Sequence, residues 1–274
     1  MHKVGQADGG RFSPPFSCLA AGIGWQIRLD LAACTIYDPR HADTDGARGM
    51  ETTLHRQLKE VYCHDPDQHE VVLDGYRIDA IVDDRLIEIQ QAGLGALRTK
   101  IATLLKSHDV IVVKPLVGRK VLIKRARKGG RVQSTRTSPK RETFFDLFDE
   151  LVNFVTVFPH QRLSLHVLLT EQEEHRVVTG KRRRRDKGYR VEDRRLTGIT
   201  DRLELRTCRD LQALLPADLP QPFSTADIAK HAGVPRWLAQ KAAYCLRMTS
   251  TARLVGKDGN TLLYEWQQPT KRAA

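Results

Sequence analysis

The sequence predicts an α/β fold in which a mixed sheet is flanked by helices and followed by a smaller helical unit that ends in a hairpin. Three observations predict it. Short apolar runs between Glu70 and Gln91 are cut by Asp74-Gly75 and Asp83-Asp84, turn-forming pairs that mark a tight β-meander. Leu94, Leu97, Ile101, Leu104 and Leu105 make an amphipathic stretch before the apolar run Val110-Ile111-Val112-Val113. That spacing suits a crossover that lays the new strand parallel to its neighbour. Past residue 207, two helix patterns joined by Gly233-Val234-Pro235 precede two strands around Lys257-Asp258-Gly259-Asn260.

Taken in order, residues 1–49 differ from the rest. Their apolar run, Phe16 to Trp25, is too short to span a membrane. Leu31-Ala32-Ala33-Cys34 has the look of a lipoprotein cleavage site, but Arg28 and Asp30 interrupt the hydrophobic segment it would need. Met50 stands directly before the first convincing helix, so 1–49 is expected to be a disordered or non-native extension. Glu51 to Tyr62 reads as that helix, with Leu54, Leu58, Val61 and Tyr62 on one face and Glu51 in the first turn, where the helix dipole favours an acid.

After Val113 the strand is expected to stop at Pro115. Val117 to Val132 is dominated by Arg, Lys and Gly, with Val121-Leu122-Ile123 as an edge strand. Glu142 to Phe158 reads as a third helix, and Leu163 to Leu169 alternates as a strand. The organisation predicted is a domain over 50–170, a basic connecting segment over 171–206, a second domain over 207–268 and a tail over 269–274.

The chemistry lies in the meander. With Asp83-Asp84 as a two-residue turn, Val82 pairs with Arg85, Ile81 with Leu86 and Ala80 with Ile87. The next pair is Asp79 with Glu88, and Gln90 follows two residues on. Facing carboxylates repel and weaken a ladder, whereas Mg²⁺ or Mn²⁺ would turn the same pair into a binding site. An acidic helix start at Glu51, Asp79 on a hairpin, Glu88-Ile89-Gln90, the helix from Leu94 and the Val110–Val113 strand together resemble the PD-(D/E)XK nuclease superfamily over roughly residues 50–118.

The resemblance implies a restriction-endonuclease-like sheet, a divalent cation on Asp79 and Glu88, and a third ligand from Glu51. It also implies metal-assisted hydrolysis of a phosphodiester. The residue that orients the attacking water is usually lysine in that superfamily, and here it is Gln90. Lys100, on the following helix, is the candidate to replace it. If nothing replaces it, the implied protein is a non-catalytic DNA-binding or regulatory relative on the same scaffold.

A net charge of +12 over 274 residues favours a polyanionic partner, and nucleic acid is the usual one. DNA is the partner expected, with no membrane, and a homodimer is compatible with the sequence. Five scattered cysteines without a C-x-x-C pair suit a reducing cytoplasm better than a disulfide framework. Arg182, Arg183, Arg184 and Arg185 form a basic run suited to phosphate contact. The helix-turn-helix and hairpin over 207–268 resemble a winged helix. That resemblance offers Arg236, Gln240, Lys241 and Arg247 from the second helix, and Arg253 and Lys257 from the wing, to DNA.

Overall fold

The computed structural model describes residues 51–179 and 188–267. The expectations on 1–49, on Arg182, Arg183, Arg184 and Arg185 and on the tail over 269–274 lie outside those residues. Thr52 caps the first helix, α1 (Thr53–Tyr62), by accepting from His55 N–H, so Glu51 stands just before the helix and not in its first turn. The meander follows as β1 (His69–Leu73), β2 (Tyr76–Val82) and β3 (Arg85–Ile89). Both turns are tight because their central residues adopt positive φ, Asp74 (50°) with Gly75 (77°) and Asp83 (48°) with Asp84 (60°).

A short 3-10 turn over Leu94–Leu97 leads into α2 (Arg98–Leu104) and then β4 (Asp109–Arg125), which pairs parallel to β3 as the crossover rule requires. Pro115 does not end β4. Val113 C=O accepts from Gln90 N–H on the β3 edge, so Pro115, two residues on, faces the same edge where β3 has already finished. Its missing N–H costs no ladder bond there. Beyond that point the same edge of β4 pairs antiparallel with β5 (Val132–Thr137).

The third helix is shorter than expected, α3 (Leu147–Leu151) after a 3-10 turn, and the next strand is much longer, β6 (Leu163–Val178). The span expected to be a connecting segment instead holds the end of β6 and all of β7 (Tyr189–Leu205). Of its basic residues, Arg176 lies on β6, and Arg190, Arg194, Arg195 and Arg202 lie on β7. The sheet therefore has seven strands in the order β1-β2-β3-β4-β6-β7 with β5 beside β4, and it is mixed. Leu54, Leu58 and Tyr62 of α1 close one face against Ala80, Ile87, Ile111 and Val113. The other face is closed by Ile101 and Leu104 of α2 and Phe148 and Leu151 of α3.

The C-terminal elements are α4 (Cys208–Gln212), α5 (Thr225–Ala232), α6 (Arg236–Met248) and the hairpin β8 (Ala252–Asp258) and β9 (Thr261–Trp266). Ser224 and Asp227 form a reciprocal cap on α5, and Gly233 ends it in the left-handed conformation (φ 63°). This region is not separate from the sheet. Leu238, Ala242, Cys245 and Leu246 of α6 belong to the same buried cluster as Phe148, Phe154 and Leu165. The described residues form one compact unit. No helix among the described residues is long and apolar enough to cross a membrane.

Candidate metal centre

The register runs as expected from Val82↔Arg85 through Ala80↔Ile87 and stops there. Ile89 N–H is donated to the Asp79 carboxylate at 2.7 Å instead of to a β2 carbonyl. On the other side of β2, His69↔Ala80 and Val71↔Ile78 pair, while Glu70 between them is out of the ladder with φ 56°. A glutamate held in the left-handed region costs on the order of 1 kcal/mol and persists only where its surroundings enforce it. Glu70, Asp79 and Glu88 thus occupy one row across β1, β2 and β3.

Two helices from opposite faces bring cations to this row. From α1, His55 Nε2 lies 3.2 Å from Asp79 and 3.6 Å from Glu51, and Lys59 Nζ lies 2.8 Å from Glu51 while also pairing with Glu70. From α2, Lys100 pairs with Glu88 and donates to Arg77 C=O at 2.5 Å. Arg77 pairs with Glu70. The predicted residues Glu51, Asp79, Glu88 and Lys100 are therefore brought together. Gln90 is not among them, because its amide donates to Gly93 C=O at 2.8 Å and shapes the loop before α2.

The sequence reading missed His55, Lys59 and Glu70. A signal existed for each. His55 lies one helical turn after Glu51, and counting back from the Asp74-Gly75 turn puts Glu70 opposite Asp79.

Burial and charge divide the carboxylates chemically. Glu88, with a side chain only 4% exposed, is pushed up to about 7 by burial and by the nearby Asp79 charge, against the pull of Lys100. Burial works against the Asp79 charge too, but the hydrogen bonds from His55 and Ile89 N–H prevail and hold its carboxyl below the usual range. His55 is raised despite burial, through its bond to Asp79 and the Asp79 and Glu51 charges. The pair thus has one firmly ionised carboxylate beside one that exchanges its proton near neutrality.

Ligand atoms of Glu51, His55 and Glu70 also lie within 4.8 Å of one another. Lys59, only 4% exposed, pairs with both of those glutamates, so a cation there would compete with a buried ammonium. Asp79 and Glu88 are the better hard-oxygen pair, since the cation that meets buried Glu88 is Lys100, whose side chain is more exposed than that of Lys59 (19% against 4%) and so is displaced more easily.

A mixed α/β sheet with a buried carboxylate row at its meander defines the class of structure. The chain belongs to the family described as "Domain of unknown function (DUF8091)", whose model matches residues 52–206. Those residues run from the α1 cap to just past β7, and so leave the C-terminal helices and hairpin outside the match. A protein of Treponema pallidum (strain Nichols), named "Uncharacterized protein", is 34% identical over 221 residues, 80% of this chain and 86% of that one. No solved structure matches the chain.

Of the residues expected to meet DNA, Arg236, Gln240 and Arg247 are exposed on α6, and Lys257 is exposed on β8. Lys241 pairs with Asp149 of α3, and Arg253 pairs with Glu265 across the hairpin at 3.2 Å. These two charges are engaged within the fold.

Proposed function

We propose that the protein is a metal-dependent, PD-(D/E)XK-like nuclease that binds nucleic acid and hydrolyses DNA phosphodiester bonds. The observation that carries this reading is the convergence of Asp79, Glu88 and Lys100 at the end of the β2–β3 hairpin, inside an α-β-β-β-α-β order. Asp79 and Glu88 would hold Mg²⁺ or Mn²⁺, with Glu51 near enough through His55 to join them. When bound, the ion supplies Lewis-acid polarisation of the phosphate and a more acidic water.

The side chains of the fold do the rest. His55 fixes one Asp79 oxygen and Ile89 N–H the other, so the carboxylate is held in one orientation. Lys100 places a positive charge beside Glu88, where Gln90 cannot, and it takes the place of the missing motif lysine. Glu88 holds or releases a proton near pH 7.

The C-terminal unit supports a second contact with DNA. The α5-turn-α6 order, the β8–β9 hairpin and the single-residue Phe223↔Tyr264 bridge to β9 fit a winged helix. Its second helix exposes Arg236, Gln240 and Arg247, with Lys257 at the wing.

Cleavage of supercoiled plasmid and of branched DNA tests the reading. The wild-type chain should nick DNA with Mn²⁺ or Mg²⁺. Asp79→Ala should lose on the order of a thousandfold, Lys100→Ala roughly a hundredfold and Gln90→Ala less than tenfold. The place of Gln90 in its loop also favours a second reading, a DNA-binding protein on the same scaffold that does not cleave. Wild-type protein that binds DNA but never cuts it in the presence of metal would establish that second reading.

A further inference from the structure

Between Gly118 and Glu142 the chain carries ten Lys and Arg against one acid, Glu142, a surplus of nine in a protein whose total is +12. These residues form the outer half of β4, its turn and β5, and every residue of β5 is exposed. Arg119 and Lys120 reach Glu171 and Glu174 on β6, and Lys140 pairs with Glu142. Lys124, Arg127, Lys128, Arg131, Arg136 and Arg141 are exposed and make no ion pair among the described residues. Like charges crowded on one ribbon repel, and nothing described in the fold relieves them.

We infer that the β4–β5 hairpin is a nucleic-acid-binding arm that holds the phosphate backbone and leads it to the carboxylate row. The inference rests on the nucleic-acid reading above and adds a site to it. Two observations choose the partner. First, the arm adjoins the site: a cleft of about 460 Å³ is lined by Glu51 and Thr52 together with Arg125, Lys128, His175 and Arg195. Asp193, which also lines it, is tied to Thr53 N–H and Arg195.

Second, the arm has the chemistry of a backbone reader and not of a membrane anchor. Gln133, Ser134, Thr135 and Thr137 are exposed hydrogen-bonding groups, and the large exposed hydrophobic residue on β5 is a single valine, Val132. Surfaces that settle on lipid present Trp, Phe or Leu beside their cations. Lys124 and Arg136 lie two rungs apart and so on the same face, since Leu122 pairs with Arg136 and Lys124 with Ser134. Along this stretch β4 is also paired with β6, so β5 and its turn form the edge of a wider sheet, and the exposed cations on that edge can meet the phosphates of double- or single-stranded nucleic acid.

The test is equilibrium binding of the full chain to a fluorescent 30-base-pair duplex, or about that length, followed by anisotropy over a salt series in EDTA. Without metal no cleavage intervenes, so failure of the nuclease reading would leave the result unchanged. Changing Arg127, Lys128, Arg131 and Arg136 together to Gln should weaken binding at least tenfold. It should also lower the slope of log affinity against log salt by roughly three. Arg127→Lys, Arg131→Lys and Arg136→Lys, combined, should restore most of the affinity, and all variants should melt as wild type does. Unchanged affinity in the Gln variant overturns the proposal. So does a wild-type chain that ignores the duplex and binds phosphatidylserine vesicles, which would make the arm a membrane contact.

Discussion

The carboxylate row and the β4–β5 hairpin treat charge in opposite ways. In the row, Glu70, Asp79 and Glu88 each have a cation drawn from a helix or neighbouring strand, and burial makes those pairings matter. On the hairpin, five cations (Lys124, Arg127, Lys128, Arg131 and Arg136) face water without a carboxylate. Charge satisfied inside the fold shapes proton affinities and ligand fields. Charge left unsatisfied at the surface needs its counter-charge from outside. The first region reads as chemistry and the second as substrate attraction, and the cleft from Glu51 to Lys128 joins them.

The largest expected effect breaks the notion that the C-terminal unit is independent of either region. Leu238, Ala242, Cys245 and Leu246 cover Phe148 and Phe154, so deleting residues 207–274 strips the α3 side of the core. Burial of a few such side chains contributes on the order of 5 kcal/mol, which corresponds to a loss of roughly 10–20 °C in melting temperature. A truncated chain that melts within a few degrees of the full one would show that the sheet domain stands alone.

A smaller effect sharpens the contrast between partnered and unpartnered charge. Without metal, folded Glu88 holds its proton up to about pH 7, whereas the unfolded chain releases it near pH 4.5. The folded state therefore binds more protons across that window, and its stability falls as pH rises from about 4.5 to 7, then levels. His55, raised in the fold, adds stability that is complete below about pH 6.5 and is lost as pH rises through its folded value. The two act in the same direction, while Asp79 acts only at lower pH, where its carboxylate is protonated. Glu88→Gln should remove a decline on the order of 2 kcal/mol, about 5 °C, between pH 5 and pH 8. Parallel melting curves for variant and wild type across that range would contradict the buried state of Glu88.

Much of the site was legible in the sequence because hairpin arithmetic is local. Two Asp-containing turns set the register as far as Ala80↔Ile87, and the next residues, Asp79 and Glu88, still come together although the ladder has ended. The same arithmetic applied to Asp74-Gly75 reaches Glu70, whose departure from the ladder depends on Lys59 and Arg77 and so on tertiary packing. Lys100 was legible from helical spacing, but Gln90 pointed into the site only on the assumption that the strand runs on past Ile89.

The length of β4, β6 and β7 was not legible. Pro115 reads as a stop unless one knows that β3 has ended beside it. The Arg-rich strands read as linker because charge on an exposed sheet arm lacks the apolar alternation that marks a half-buried strand. Shared burial between α3 and α6 is a long-range property that two local patterns cannot announce.

Calorimetry of the full chain with and without saturating Mn²⁺, at pH 6 and at pH 8, tests most directly whether the carboxylate row is a metal site. Metal binds the ionised row and must displace the Glu88 proton at the lower pH. Mn²⁺ should therefore raise the melting temperature by mass action, more at pH 8 than at pH 6, and should do so hardly at all in Asp79→Asn. A wild-type melting temperature that ignores saturating Mn²⁺ at pH 8, where Asp79 and Glu88 are both ionised, would contradict the metal site.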